Sequence, residues 1–292
     1  MRERLDPLIK ERAPWLFGTS KVAEPARGIL NRVLGYDRTV ALAEHFSDMD
    51  VRDIMDQLSL LLARDVKVTG LENVPLTGPA LIVANHPTGI ADGIMLWHAL
   101  ARRRPDLFIY ANSDIMRILP QFSDIIAPVE WQEHKRSHSK TRETMAYTRR
   151  AIDDGRLGVI FPSGRLAKRR GLWLFERPWM ASAAMIAKKF DLPVIPVKVR
   201  ARNSALFYLF DLIHPTLRDI TLFHETLNKG RQPYRIGIGK PIHPADLPQR
   251  SDDGIRVLRR ATLRMGGRDA PSVSLVSSSR KPRWARGLLT ET

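Results

Sequence analysis

The 292-residue chain has no cysteine. That excludes thiolate nucleophiles, disulfides and cysteine-based zinc sites, and leaves covalent bonding silent on the redox compartment. No window approaches the ~18 consecutive apolar residues that a spanning helix needs. The opening residues, Met1-Arg-Glu-Arg-Leu-Asp6, lack the apolar stretch of a signal peptide. No Gly-x-Ser-x-Gly elbow occurs, so a serine nucleophile of that kind has no local support. Gly237-Ile-Gly239-Lys240 lacks the further glycine spacing and the following helix of a phosphate loop. His134 and His138 are four apart and can share a helix face. With no acidic or cysteine partner in pattern, a surface charge run accounts for them better, and no metal site is expected.

Carboxylates are scarce beside cations, 31 against 47, giving a net charge of +16. A field of that sign favours anionic partners: nucleic acid, an anionic lipid surface or phosphorylated ligands. No zinc-finger, RNP-type or basic-zipper pattern is visible and the basic residues are spread along the chain, which makes nucleic acid the weaker expectation. With 43% hydrophobic and 27% charged residues the composition is that of an ordinary globular protein. The length suits one large or two small domains.

Residues 1–64 read as amphipathic helices. Ile29, Leu30, Val33 and Leu34 form one apolar face, and Val51, Ile54, Met55, Leu58, Leu61 and Leu62 another. Pro14-Trp-Leu-Phe17 is an aromatic cluster among basic residues, readable as a membrane-interface anchor or as a packed N-terminal segment. From Val66 the texture changes to short strands and turns. Strands are expected at Val66–Gly70, Ala80–Ala84, Leu107–Ala111, Ile125–Val129, Leu157–Phe161, Val194–Val199 and Tyr234–Ile238. Between them lie helical patterns after Asp92, within 132–152, and from Trp179 to Phe190. The alternation predicts an α/β fold: a mixed, largely parallel central sheet flanked by helices, preceded by the N-terminal helical segment. After Pro248 the chain turns polar, and Arg280–Arg286 is a basic stretch carrying one Trp. The expected division is an N-terminal helical part at 1–64, a central domain at 65–250 and a basic C-terminal tail at 251–292.

The stretch Pro79–Gly93 concentrates the chemistry. The apolar run Ala80–Ala84 stops at Asn85-His86-Pro87-Thr88-Gly89, and a helical period begins after Asp92. His86 therefore leaves a strand and Asp92 opens a helix. The carboxyl ends of strands are where α/β sheets bind ligands. Each residue also has a plain reading: Asp is a common helix N-cap, and a single His in a turn is often without function.

Four blocks in order carry a resemblance: Asn85-His86-x5-Asp92-Gly93, Ala127-Pro-Val-Glu130, Phe161-Pro-Ser-Gly-Arg165 and Leu192-Pro-Val-Ile-Pro-Val197. Together they resemble the glycerolipid acyltransferase family, which includes the lysophospholipid and glycerol-phosphate acyltransferases, over roughly Val66 to Pro248. Two departures are visible. Five residues separate His86 from Asp92 where four are commonest, and Ser163 stands where the family usually has Glu. The resemblance implies an O-acyltransferase without a cofactor, taking acyl-CoA or acyl-carrier protein as co-substrate and a lysolipid as acceptor. His86 would be the general base and Asp92 its orienting carboxylate, a pairing suited to taking the proton of an attacking hydroxyl. Ser163, Gly164 and Arg165 would bind the anionic group of the acceptor, with Lys168, Arg169 and Arg170 adding field or forming a plain basic loop. Asn85, Gly89 and Gly93 would shape the turn. The family's acceptor-binding Arg in the second block has no clear counterpart; Arg117 is nearest. The expected place is peripheral, at the cytoplasmic face of an anionic membrane. The rival readings are a non-catalytic lipid-surface protein of the same fold and a nucleic-acid-binding protein.

Overall fold

A computed structural model describes residues 1–18, 23–130, 137–265, 272–276 and 278–279. His134, Lys135, Arg136 and the basic stretch 280–286 lie outside the described residues. The amino-terminal part is helical, as expected. It contains α1 (Arg2–Arg12), α2 (Ala23–Leu34), α3 (Tyr36–His45) and α4 (Val51–Leu62), and Pro14–Phe17 forms one tight turn that buries Leu16. Asp50 caps α4, its carboxylate accepting the Arg52 N–H at 2.8 Å.

The chain then lays down β1 (Val66–Thr69), β2 (Ala80–Ala84), α5 (Ile90–Leu100), β3 (Phe108–Asn112), α6 (Asp114–Ile118), β4 (Ile126–Val129), α7 (His138–Asp153) and β5 (Leu157–Ile160). A short ribbon follows, β6 (Lys168–Arg170) and β7 (Trp173–Phe175). Next come α8 (Ser182–Lys189), β8 (Val194–Arg200), three short helices α9 (Ala205–Ile213), α10 (Pro215–Ile220) and α11 (Leu222–Leu227), β9 (Tyr234–Ile238), α12 (Ser251–Arg264) and β10 (Ser272–Ser274).

Seven strands form one sheet in the order β1-β9-β8-β2-β5-β3-β4, and every neighbouring pair is parallel except β8–β9. The sheet is therefore mixed and largely parallel. β2 is central and buried at every position, because both faces are covered. Ala80, Ile82 and Ala84 point to a core completed by α1, α3, α4 and α5; Leu81 and Val83 point to a second core completed by α7, α8 and α12. At the amino end of the sheet the fully buried Arg104 acts as a hub. Its guanidinium donates to the carbonyls of Pro75, Gly78 and Gly155 at 2.9–3.1 Å and holds Asp106 at 2.7–2.8 Å.

The boundary expected at residue 250 is not a structural one. Ile255, Leu258 and Leu263 of α12 are buried, the first two against the sheet core shared with α8, and the Leu263 carbonyl accepts from the buried Lys198 ammonium at 2.8 Å. Apolar residues recurring at helical spacing within a polar sequence account for this packing. β10 joins β7 and β6 in a separate three-stranded ribbon. The ribbon packs Leu174 and Val273 against Phe207 and Tyr208 of α9 as a small third core.

Candidate active site

Because β2, β5 and β8 run parallel, their carboxyl ends meet on one edge of the sheet. Past β2, the Asn85 side chain continues the strand pairing. Its amide donates to the Val199 carbonyl at 2.9 Å and accepts the Val199 N–H at 2.7 Å, so β2 and β8 stay stapled one rung beyond their backbone ladder. His86 follows. Its ring stacks on Phe161, the residue just after β5, with centroids 4.3 Å apart and planes at 29°.

Gly89 is the N-cap of α5, at φ +96° and ψ −138°. That combination is open essentially only to glycine. An added Cβ would also come within 3.3 Å of Leu166 and Leu222. The turn brings Pro87–Gly89 around the side chain of Asp92, which projects back from the first turn of α5 as helix side chains do. Asp92 Oδ2 accepts the N–H groups of Thr88 at 2.8 Å and Gly89 at 3.0 Å, and Oδ1 accepts the Thr88 hydroxyl at 2.6 Å. Tyr234 of β9 closes the back of this pocket, its hydroxyl against Thr88 Oγ1 and 3.5 Å from Asp92 Oδ1. Burial and the Asp92 charge hold the Tyr234 phenol far above its ordinary range, so it remains a neutral donor.

With its carboxylate fully buried, Asp92 lies 3.0 Å from His86 Nδ1 through Oδ2, and the imidazole keeps 19% exposure. The distance is that of a hydrogen bond but the Nδ1–H direction is off the acceptor, so the contact is close and poorly aligned. Catalytic hydrogen bonds in unliganded sites are often of this kind and tighten with substrate. Nε2 has no hydrogen-bond partner among the described residues, and the arrangement leaves it to meet a group arriving from solvent. Five intervening residues therefore still bring His86 and Asp92 together, because Gly89 folds the surplus into the turn.

The remaining predicted positions separate. Ser163 is buried and donates to the Arg165 carbonyl at 2.8 Å. The Gly164 N–H is taken by the Phe161 carbonyl at 2.9 Å, with Gly164 at φ +58°. Arg165 is exposed, with no side-chain partner among the described residues, so of the three it is the one free to meet an anion. Gly93 lies inside α5, and a Cβ there would meet Ile109 only at ordinary contact distance. Arg117 is committed to Glu11 at 2.9 Å.

Sequence reasoning missed Thr88, Tyr234 and Glu176. Glu176 follows β7 and is buried; it accepts the His86 backbone N–H at 3.1 Å and the Trp179 indole N–H at 3.0 Å, with Ser163 a further neighbour. A buried carboxylate thus stands behind the His86 turn, beside Ser163. Burial raises its pKa, and the donors around it oppose the rise only in part. Thr88 was visible inside the motif. Tyr234 and Glu176 carry no local pattern that marks them. Among the described residues no cluster of metal-binding side chains occurs.

A family model described as Acyltransferase matches residues 65–200. Two similar proteins are named lyso-glycine lipid O-acyltransferase. The one from Phocaeicola vulgatus is 24% identical over 65% of this chain and 68% of its own length. The one from Bacteroides thetaiotaomicron is 20% identical over 82% of this chain and 87% of its own. The 1-acyl-sn-glycerophosphate (LPA) acyltransferase PlsC of Thermotoga maritima aligns over 82% of this chain and 94% of that one, with 14% identity and a TM-score of 0.49. The matched span holds both members of the His86–Asp92 pair and the strand ends that carry them. Residues 65–200 thus carry an acyltransferase domain, and the chain is an O-acyltransferase similar over most of its length to the two lyso-glycine lipid enzymes.

Proposed function

We propose that the chain moves a fatty acyl group from acyl-CoA or acyl-carrier protein to the hydroxyl of a lysolipid, working peripherally at the cytoplasmic face of an anionic membrane. The observation that carries this reading is the 3.0 Å approach of His86 Nδ1 to a fully buried Asp92 carboxylate whose other donors are already in place. A carboxylate at Nδ1 favours the tautomer with its proton there and a free lone pair on Nε2. Nε2 takes the proton of the acceptor hydroxyl as its oxygen attacks the thioester carbon. The tetrahedral adduct then collapses, the carbon–sulfur bond breaks, and the imidazolium returns the proton to the departing thiolate. Asp92 stabilises the imidazolium while it exists. No covalent acyl-enzyme is needed.

The relatives' names support a lyso-glycine lipid acceptor, and the wider family supports lysophosphatidic acid. Both acceptors present an anion, and exposed Arg165, two residues before the Ala167 N–H that bonds the His86 carbonyl, is the cation we assign to it. The test is transfer of a labelled acyl group from each donor to a panel of lysolipids by the purified protein and by His86→Ala. A loss of about 10²-fold or more is expected for removal of a general base. Undiminished transfer by the variant would discard the mechanism.

A further inference from the structure

The ribbon beside the dyad has a face that the chemistry does not use. β6 and β7 pair antiparallel with Arg170 opposite Trp173, Arg169 opposite Leu174 and Lys168 opposite Phe175. Side chains alternate across a ribbon. Leu174 and Arg169 turn inward, and Lys168, Arg170, Trp173 and Phe175 share the outer face, all exposed. The Arg170 guanidinium lies 5.6 Å from the Phe175 ring centre, and neither Lys168 nor Arg170 has an ion-pair partner among the described residues. At the tip, Gly171 makes the turn at φ +58° and Leu172 is 62% exposed. The Leu172 carbonyl accepts the Leu275 N–H at 2.9 Å, which sets Val276, 65% exposed, beside it.

The order along the ribbon is a gradient: an aliphatic tip, then a Trp–Arg rung, then a Phe–Lys rung. A bilayer interface has the same order, from acyl chains through the headgroup level preferred by Trp to lipid phosphates within reach of long basic side chains. An acidic protein would match the two cations but not the bare Leu172–Val276 tip. We propose that this ribbon is the membrane-docking element, entering an anionic bilayer tip first with Trp173 and Phe175 at headgroup level and Lys168 and Arg170 on lipid phosphates.

The consequence for the site is geometric. The Ala167 N–H, at the base of the ribbon, donates to the His86 carbonyl at 2.9 Å. Five extended residues from there to Leu172 span about 16 Å at most. Insertion of interfacial elements by about 5–10 Å would leave the dyad within roughly a headgroup's reach of the hydrocarbon boundary. The delivery of an acceptor to His86 rests on the acyltransfer reading above; the docking itself does not.

The test uses the full chain with phosphatidylglycerol–phosphatidylethanolamine vesicles and with phosphatidylcholine vesicles, read by co-sedimentation across a salt series. Far-UV circular dichroism and thermal melts confirm that each variant is folded. Lys168→Gln with Arg170→Gln should lower partition to the anionic vesicles by about 30-fold, since each basic residue at an anionic surface is worth about fivefold. Leu172→Asp, alone and with Val276→Asp, should abolish binding to both vesicle types. The same Leu172 variants should transfer acyl groups to a soluble short-chain lysolipid within about twofold of the parent, and lose turnover on vesicle-borne acceptor. Vesicle binding unchanged in folded Leu172→Asp overturns the proposal, as does a parent chain that binds no anionic vesicle. Loss of binding to purified acyl-carrier protein, with vesicle binding intact, overturns it in favour of a protein partner. A parent chain that docks but transfers to no acceptor, soluble or embedded, leaves the docking standing and removes the proposed function instead.

Discussion

Asp92 receives the N–H groups of Thr88 and Gly89 and the Thr88 hydroxyl before His86 is considered, so its charge is held in place by the turn itself. Asp92→Asn would set an amide against those same donors and remove the charge that steadies an imidazolium. A fall in kcat of about 10³-fold or more is expected, with a KM change of only a few-fold, measured by steady-state kinetics. Glu176 gives a different signature. Its folded-state pKa is raised by burial above the ordinary value near 4.5, so the folded chain binds more protons than the unfolded one between those two values. Its contribution to stability is full below the ordinary Glu range and is lost as pH rises through the raised value. Glu176→Gln abolishes that loss. The melting temperature of the variant relative to the parent should therefore climb with pH from about 4.5 upward, by thermal melts across a buffer series. A flat difference would mean that the carboxyl is not shifted as burial dictates.

Gly89 decides how the element after β2 begins. Gly89→Ala forces a side chain into a backbone region closed to it and against Leu166 and Leu222. Strain of this kind costs about 1–3 kcal/mol. A lowered melting temperature with a disproportionate loss of kcat is the expected result, because the same turn holds His86 to Asp92. How much could be read in advance depended on locality. The β2 strand, the turn and α5 lie within one window, and their change of period placed His86 and Asp92 on the correct elements. Tyr234 reaches Asp92 from a strand two places across the sheet, a register set by the antiparallel entry of β9 beside β8. No local pattern encodes that. The ribbon strands have three residues each, too short for an alternation to be counted, so Lys168–Arg170 read as added field or a plain basic loop and not as a strand. The two short helices α10 and α11 escaped for the same reason.

At the scale of the molecule, both faces of the sheet are needed, and α12 covers part of one. Burying Ile255, Leu258 and Leu263 is worth roughly 5–9 kcal/mol at about 1.5–3 kcal/mol per side chain. Net stabilities are typically about 5–15 kcal/mol. A chain ending at residue 250 should accordingly lose most of its cooperative unfolding transition by calorimetry, although the matched span 65–200 is intact. Domain limits drawn from motifs mark where chemistry is encoded; the folding unit extends to the last helix that closes a core. The opposite edge of the sheet has a consequence of its own. Arg104 reaches carbonyls at the entrances to β2 and β5 at once. Sliding either strand by a single position would shift its carbonyl by about 3.3 Å and leave a buried guanidinium N–H, already paired with Asp106 on its other side, short of one acceptor. That one fork thus completes its hydrogen bonds only when the two central strands are in their native alignment, so the register that sets His86 at the far edge is tied to a buried charge at the near one.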